Sequence, residues 1–135
     1  MTKHIFNILL FVFAINSLSS QTLDSLNVSR INDTITSKYL NEKRSLEIQL
    51  PRSYYIKSEK NYPLMIVLDG DYMFNIVAGS VDYLSYWGDI PENLVVGINQ
   101  KNSRFDDSSV LDNITYTPIS STASFYDFII NEIIP

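Results

Sequence analysis

The residue types that carry most enzyme chemistry are scarce in this chain of 135 residues. Cysteine is absent and His4 is the only histidine, so thiol nucleophiles, disulfides and zinc–cysteine clusters are excluded. His4 lies in an N-terminal segment that we expect to be removed. Without it, neither a Ser-His-Asp triad nor a histidine metal site is available. Any chemistry of the remaining chain by itself depends on carboxylates, Lys, Tyr or Ser.

Two acidic clusters are the most concentrated polar groups. Asp69-Gly70-Asp71 directly follows an apolar stretch, and Asp106-Asp107 lies in a long polar segment. Either pair of carboxylates could serve as Ca²⁺ ligands or as an acid and base pair. A calcium loop needs more oxygen ligands at regular spacing than either cluster supplies. We therefore favour solvated loops at both places, with no metal site and no cofactor.

Composition and charge narrow the class of protein. The chain is 45% hydrophobic and 13% aromatic, which predicts a globular fold with a sizeable core. Ten Lys and Arg stand against fifteen Asp and Glu, a formal net charge of −5. No basic stripe is present, and affinity for nucleic acid depends on clustered Lys and Arg. Nucleic acid and anionic membrane surfaces are therefore excluded as favoured partners.

Residues 1–20 differ in character from the rest. Lys3 and His4 precede an apolar run, Ile5–Ile15, which is followed by small residues and is well short of the roughly 20 residues that span a bilayer. This pattern predicts a cleaved signal peptide, with a buried helix as the less favoured alternative. No Cys is present for a lipoprotein anchor, so we expect a secreted or periplasmic protein. Residues 21–35 are polar and predict an extended leader, which leaves 36–135 as the folded domain.

The elements that must position the acidic clusters follow from periodicity. Thr34–Leu40 and Arg44–Leu50 alternate between apolar and polar residues, which predicts two strands, each with one solvated face. The short polar segment 41–43 joins them as an antiparallel hairpin. Pro63–Leu68 is apolar without alternation, which is typical of a strand buried on both faces in a parallel sheet.

A helix and a further strand follow Asp69-Gly70-Asp71. Apolar residues recur at helical spacing until Gly88, at Phe74, Val77, Val81 and Leu84. Asn93–Asn99 is a second short apolar strand, so the order strand, helix, strand predicts a βαβ unit. The segment 101–122 predicts a long loop. Ser124 and Asp127 then resemble a capping box, which predicts a helix beginning near Ser124.

Exposed aromatic residues offer a separate hypothesis. Six tyrosines and the only tryptophan could line a carbohydrate-binding face, because flat rings stack on sugars: Tyr54, Tyr55, Tyr72, Tyr83, Tyr86, Trp87 and Tyr116. Such residues more often pack in the core and at its rim. We favour packing.

Several stretches resemble one known family. They are RSLEIQLPRSY (44–54), YPLMIVLDGDYMF (62–74), PENLVVGIN (91–99), the loop 104–118, in which an insertion separates the basic-acidic part from Thr-Pro, and SFYDFIINEIIP (124–135). Together they resemble the "Putative esterase" family of the α/β-hydrolase superfamily, which includes enterochelin esterases, S-formylglutathione hydrolases and feruloyl esterases. The resemblance spans about 35–135. It implies the N-terminal portion of an α/β-hydrolase fold: an antiparallel hairpin leading into a parallel βαβ sheet with flanking helices.

The resemblance also implies residues that this sequence does not contain. Family members place a nucleophilic Ser in a Gly-x-Ser-x-Gly elbow, followed by an acid and a His. No such elbow can be drawn through the four glycines, and Gly79-Ser80 falls inside the predicted helix, where we attribute the glycine to tight packing. The catalytic Ser, acid and His are therefore expected beyond Pro135. The chain is expected to be a fragment that is inactive alone.

One catalytic element is implied by the resemblance within the chain. In these hydrolases the loop after the third strand donates a backbone N–H to the oxyanion, and Asp69-Gly70-Asp71 occupies that loop here. Gly70 would allow a tight backbone path and Asp71 would supply the donor. From spacing alone, the same residues fit equally well a turn that caps the following helix. The resemblance of the surrounding sequence to the family favours the role in the oxyanion hole.

Two functions of different classes follow. The first is a secreted or periplasmic carboxylic ester hydrolase of the serine type, acting in its full-length parent on a small-molecule or polymer ester without a cofactor. The alternative is a noncatalytic secreted binding module. The resemblance also implies that Leu64–Leu68 lies beside a strand outside this sequence, so an exposed sheet edge is expected, with self-association through it.

Overall fold

The computed structural model describes residues 28–56, 59–108, 115–117 and 120–134. The predicted signal peptide and residues 21–27 of the predicted leader lie outside the described residues. Four strands form one mixed sheet in the order β1-β2-β4-β3. The strands are β1 (Arg30–Ser37), β2 (Glu42–Gln49), β3 (Leu64–Val67) and β4 (Leu94–Ile98).

The first two strands form the predicted antiparallel hairpin, with different bounds. Their register runs from Arg30 opposite Gln49 to Ser37 opposite Glu42. β1 therefore begins within the segment assigned to the leader, and the turn occupies 38–41 rather than 41–43. Most of β1 is exposed on both faces. Its first five residues are all exposed, so alternation in the sequence does not mark where the strand begins.

The predicted solvated face of β2 is wrong at its C-terminal end. β2 lies between β1 and β4 and pairs antiparallel with β4. Gln49 is only 3% exposed, and its Nε2 donates to the carbonyl of Ala78, 2.8 Å away. Because a helix covers this face of the sheet, the polar side chain is buried and pairs with a helix carbonyl instead of water.

The predicted βαβ unit is confirmed. Helix α1 (Gly70–Trp87) connects β3 to β4, which pair in parallel. It buries Phe74, Ala78 and Val81 and ends at Gly88, whose φ of 81° allows the left-handed cap. Its 18 residues span about 27 Å, whereas the four residues of β3 span about 13 Å. The last turn therefore passes the strand, and Leu84, the last apolar residue at the predicted helical spacing, is 37% exposed.

Two apolar clusters flank the sheet, as expected for the α/β class. One contains Leu46, Val96, Ile98, Phe125 and Phe128. The other contains Val67, Phe74, Ala78, Val81 and Val95. The side chains of alternate residues of β4 therefore lie on opposite faces of the sheet. α1 covers one face, and the C-terminal helix covers the other.

Tight packing at Gly79, predicted from the sequence, is wrong. Gly79 is exposed, and a Cβ placed on it would meet nothing within 4 Å. The close-packed glycine of this layer is Gly97 in β4. There a Cβ would lie 2.7 Å from Cδ2 of Phe74, so the bulky Phe74 side chain can seat against the strand only because position 97 has no side chain.

The long segment after β4 contains more helix than predicted. A short helix, α2 (Arg104–Ser108), lies inside the predicted loop. Helix α3 (Ser120–Phe128) begins four residues before Ser124 and continues as a π-helical turn, Ile129–Ile133. The capping box predicted at Ser124 is therefore wrong. Within the described part of the chain, no helix is both long and apolar enough to cross a membrane.

β3 forms one edge of the sheet. Among the described residues no strand pairs with its outer side, and Leu64 and Leu68 are 37% and 45% exposed. The strand contains no charged residue and no proline, the usual protections of an edge. Self-association through this edge stays a prediction.

The segment between β2 and β3 is tied to the sheet by Glu92. Its carboxylate accepts hydrogen bonds from the N–H of Ser53 at 3.2 Å, from Oγ of Ser53, and from Nζ of Lys60 at 2.8 Å. Burial by itself would raise the pKa of Glu92. The hydrogen bonds from Lys60 and Ser53 outweigh this effect and hold the pKa below its ordinary value of 4.5.

We expect Glu92→Gln to make the protein less sensitive to acid. A depressed carboxyl pKa contributes stability that is complete above the ordinary pKa and is lost as the pH falls through the folded-state pKa. Urea unfolding should show the wild type about 1 kcal/mol more stable than Glu92→Gln at pH 7, with the difference disappearing below about pH 4. Glu59→Gln, an exposed neighbour, is the control and should not change the profile. A difference that persists unchanged to pH 3 would contradict this assignment.

Candidate active site

The Asp69-Gly70-Asp71 corner lies at the carboxyl end of β3, where the chain turns into α1. Asp69 has a left-handed backbone, with φ 53° and ψ 44°. Its carbonyl accepts from the N–H of Tyr72 at 3.1 Å and of Met73 at 2.9 Å, which starts the helix at Gly70. A left-handed residue other than glycine costs about 1 kcal/mol, and such conformations cluster at functional sites. The corner is thus the N-terminus of α1 as well as the loop after the third strand.

Two backbone donors begin α1 at this corner. The N–H groups of Gly70 and Asp71 are the first two of an 18-residue helix, and no acceptor for either is found among the described residues. Unpaired N–H groups and the helix dipole together favour a negative charge at this position. The geometry is therefore compatible with either alternative left open by the spacing, a helix start and an oxyanion donor.

Gly70 allows this corner to lie directly against β4. A Cβ at position 70 would lie 2.7 Å from Oδ1 of Asn99, 2.9 Å from the carbonyl carbon of Gly97 and 3.0 Å from that of Ile98. Two of these neighbours are backbone atoms, which cannot move aside as the end of a flexible side chain could. The position of the N–H donors relative to the sheet therefore depends on glycine.

Gln100 holds the corner from the other side. Its N–H donates to Oδ1 of Asp71 at 3.1 Å, and its side-chain Oε1 accepts from the N–H of Asp69 at 3.0 Å. Its Nε2 donates to Oδ2 of Asp107 at 2.9 Å. Gln100 is only 2% exposed. One buried side chain thus links the Asp-Gly-Asp corner to the acidic residue of α2.

Asp107 and Arg44 form a buried ion pair beneath Gln100. Nη2 of Arg44 lies 2.6 Å from Oδ1 of Asp107, and Oγ of Ser103 donates to Oδ2 of Asp107 at 2.8 Å. Glu42 adds a second carboxylate 2.7 Å from the guanidinium. The solvated loop predicted for Asp106-Asp107 is therefore wrong for Asp107, which is 4% exposed, although Asp106 is exposed.

The carboxylate of Asp69 is also paired. Nη1 of Arg104 in α2 donates to Oδ2 of Asp69 and lies 3.2 Å from the hydroxyl of Tyr72. The carboxylates of Asp69, Asp71 and Asp107 are thus each engaged by a cation or an amide. Within the described ranges, no group of three or more potential ligands could hold a metal ion.

Sequence reasoning missed Arg44, Gln100 and Asp107 as parts of this site. Arg44 did carry a signal, because it shares strand parity with the apolar residues Leu46 and Ile48. A charge on the apolar face of a strand requires a buried partner. Gln100 and Asp107 lie in a polar stretch with no periodicity, and nothing in that stretch distinguishes them from their neighbours.

A polar cavity of about 380 Å³ opens beside the corner. Two buried polar atoms on its lining residues, Nε of Arg44 and Oδ1 of Asn99, have no hydrogen-bond partner among the described residues. The lining residues are Glu42, Lys43, Arg44, Ser45, Asp71, Asn99, Lys101, Asn102 and Ser103. The cavity and the two N–H donors therefore occupy the same edge of the sheet, outside the carboxyl ends of the parallel strands, where ligands bind in open α/β sheets.

Known structures resemble about four fifths of this chain. An uncharacterised protein from Capnocytophaga ochracea is 27% identical, with a TM-score of 0.68, over 79% of this chain and 28% of that one. An IroE-like serine hydrolase from Shewanella oneidensis is 28% identical, with a TM-score of 0.66, and the match covers 79% of this chain and 37% of that one. An enterobactin esterase from Shigella flexneri, 17% identical with a TM-score of 0.57 over 81% and 25%, shares the fold. This chain therefore spans less than half the length of each.

The family itself is shown by sequence. No curated protein matches the chain. Residues 37–135 match the family model described as "Putative esterase". This range contains every strand except most of β1, together with the Asp69-Gly70-Asp71 corner. Because the match covers well over half of the chain, the chain belongs to the Putative esterase family.

Proposed function

We propose that this chain supplies the oxyanion-binding side of a serine-type carboxylic ester hydrolase. The observation that carries the proposal is a pair of N–H groups, of Gly70 and Asp71, that have no acceptor among the described residues. They lie at the carboxyl edge of the sheet in a member of an esterase family. The likeness to a solved serine hydrolase supports the same chemistry.

The proposed role is electrostatic. When a serine hydroxyl adds to an ester carbonyl, the carbonyl oxygen becomes an oxyanion; the alcohol then leaves, and water hydrolyses the acyl-enzyme. The N–H of Asp71, supported by the positive end of α1, would donate to that oxyanion. One such donor contributes about 3 kcal/mol to the transition state. The donors are held in place by Gln100 and by the close contact of Gly70 with β4.

The nucleophile and the general base are proposed to come from residues outside this sequence. No Gly-x-Ser-x-Gly occurs in the 135 residues, and the only histidine is His4. An oxyanion donor without a nucleophile accelerates no acyl transfer. We therefore expect the chain alone to be inactive.

Inactivity can be measured with p-nitrophenyl acetate. Purified chain should release p-nitrophenol no faster than buffer and should show no burst. A stoichiometric burst followed by turnover would contradict the proposal, because it would require a nucleophile and a base among these residues. The coding sequence after codon 135 gives the complementary test: a Gly-x-Ser-x-Gly there supports the hydrolase, and intergenic sequence alone contradicts it.

The role of the Asp71 N–H can be tested in a longer protein in which a Gly-x-Ser-x-Gly elbow follows residue 135. Asp71→Pro removes the N–H in the first turn of α1, where proline is tolerated best in a helix. It should lower kcat by about 10²- to 10³-fold. Asp71→Ala keeps the N–H and loses only the bond from Gln100, so it is the matched control and should retain most of kcat. Equal losses in both variants would contradict the donor role.

We further propose that residues 1–20 direct export, on the basis of the short apolar run after Lys3 and His4. Mass spectrometry of the chain recovered from periplasm or medium should show an N-terminus beside Ser19 or Ser20. An intact Met1 on protein confined to the cytoplasm would contradict export.

A further inference from the structure

Six aromatic side chains gather at the end of the sheet opposite the Asp69-Gly70-Asp71 corner. We call them the aromatic surface: Tyr54, Tyr55, Tyr62, Tyr83, Tyr86 and Trp87. Tyr55, Tyr83 and Trp87 are 74%, 64% and 66% exposed. None of the seven aromatic residues for which packing in the core and at its rim was predicted is buried in the core, since Tyr72 and Tyr116 are exposed as well.

The aromatic surface consists of two adjoining clusters. In the segment after β2, the ring centroids of Tyr54 lie 5.3 Å from Tyr55 and 6.2 Å from Tyr62. At the end of α1, those of Trp87 lie 5.3 Å from Tyr86 and 6.5 Å from Tyr83. Rings on a helix end and on an anchored loop lose little conformational entropy when a ligand covers them.

Arg52 joins the two clusters. Its guanidinium donates to both carboxylate oxygens of Asp82 at 2.8 Å and lies 5.3 Å from the ring centroid of Tyr86. The next residue, Ser53, is held by Glu92 and by the hydroxyl of Tyr62 at 2.8 Å. The loop cluster and the helix cluster therefore form one continuous surface rather than two separate patches.

The charges on this surface cancel one another. Arg52 is paired with Asp82, and Lys60 is paired with Glu92. A surface for anionic lipid or nucleic acid would carry an excess of cations. Among its described residues the aromatic surface has no such excess, and the exposed Asp89 beside it adds a negative charge. An anionic ligand is therefore disfavoured on this surface.

The side chains also distinguish sugars from an apolar partner. Each tyrosine offers a flat apolar face with a hydroxyl at its tip, and Arg52, Ser53 and Asp82 add polar groups between the rings. Ile56 is the one strongly exposed aliphatic residue in the described part of this loop. A pyranose ring combines an apolar C–H face with hydroxyls around its rim, so it matches this alternation, whereas a hydrophobic peptide or acyl chain would leave the hydroxyls unpaired.

We propose that the aromatic surface binds a neutral carbohydrate chain. The surface lies about 26 Å along α1 from the Asp69-Gly70-Asp71 corner. It is therefore separate from the proposed oxyanion site and does not depend on it, and binding is expected in the chain as it stands.

Trp87 makes the test direct, because it is the only tryptophan in these 135 residues. Titration with cellohexaose or xylohexaose should shift or quench its fluorescence saturably, and hexagalacturonate, which is charged, should bind more weakly. We expect a Kd below about 10 mM for such a surface. If neither neutral probe changes the fluorescence at concentrations up to about 10 mM, the proposal is overturned. A shift with phosphatidylcholine vesicles but not with the sugars would also overturn it.

Variants localise the binding. Tyr83→Ala and Tyr55→Ala should each weaken binding about tenfold. Trp87→Ala should weaken binding at least as much; because this variant has lost the fluorophore, its affinity is measured by calorimetry. These side chains are mostly exposed, so circular dichroism should be unchanged. Tyr116→Ala and Tyr126→Ala remove exposed rings outside the aromatic surface and serve as matched controls. Equal affinity in Tyr83→Ala, Tyr55→Ala and the controls would place binding elsewhere and overturn the proposal.

Discussion

Asp107→Asn should lower the free energy of unfolding by about 3 kcal/mol, the largest effect we expect from a single conservative change in this protein. Arg44 is 5% exposed and Asp107 is 4% exposed. Removing one partner leaves a buried guanidinium whose remaining carboxylate, on Glu42, is half exposed and screened by water. The loss should therefore fall at the lower end of the range for breaking a buried ion pair.

The neighbouring aspartate provides the control. Asp106→Asn changes an exposed residue one position away and should alter stability by less than about 0.5 kcal/mol. Urea unfolding at pH 7 of the wild type and both variants measures the difference. If the two variants unfold at the same urea concentration, the buried pair makes no special contribution to stability.

Gly70→Ala should lower the free energy of unfolding by about 2 to 3 kcal/mol. The added methyl group would lie within 3.0 Å of the Ile98 and Gly97 backbone and 2.7 Å from Asn99. Either the start of α1 or the end of β4 must move to accept it. Since the N–H groups of Gly70 and Asp71 move with the helix start, the variant should also displace the proposed oxyanion donors.

A second glycine of the same helix gives the opposite expectation. Gly79→Ala adds a methyl group where nothing lies within 4 Å, in a helix interior, and should raise stability by about 0.5 to 1 kcal/mol. The two variants make the same chemical change in α1, so their comparison separates steric contact from helix propensity. Destabilisation by both, to a similar extent, would contradict the packing described for Gly70.

The predicted elements differ in accuracy for physical reasons. β3, α1 and β4 were predicted within one to four residues at each end, because long apolar runs and helical periodicity reflect burial directly. β1 was misplaced because its first five residues are all exposed, so that alternation does not mark where the strand begins. α2 and the start of α3 were missed because polar segments carry no periodicity.

The candidate site was predicted only in part. The Asp69-Gly70-Asp71 corner was identified from its position after an apolar strand and from the family resemblance. Its supports were not, because the ion pair between Arg44 and Asp107 joins residues 63 apart in the chain. Gln100 joins that pair to the corner through three hydrogen bonds, and none of these contacts repeats with a local period.

The amino-acid sequence by itself determined the strand-helix-strand order, the acidic glycine corner between strand and helix, and membership of an esterase family. These features depend on local periodicity and on contiguous sequence motifs. Only the tertiary structure decided which charges are buried, which glycine is closely packed and which aromatic rings face water. Those properties depend on neighbours brought together from distant parts of the chain, and a residue such as Asp107 differs from Asp106 only in what the fold places against it.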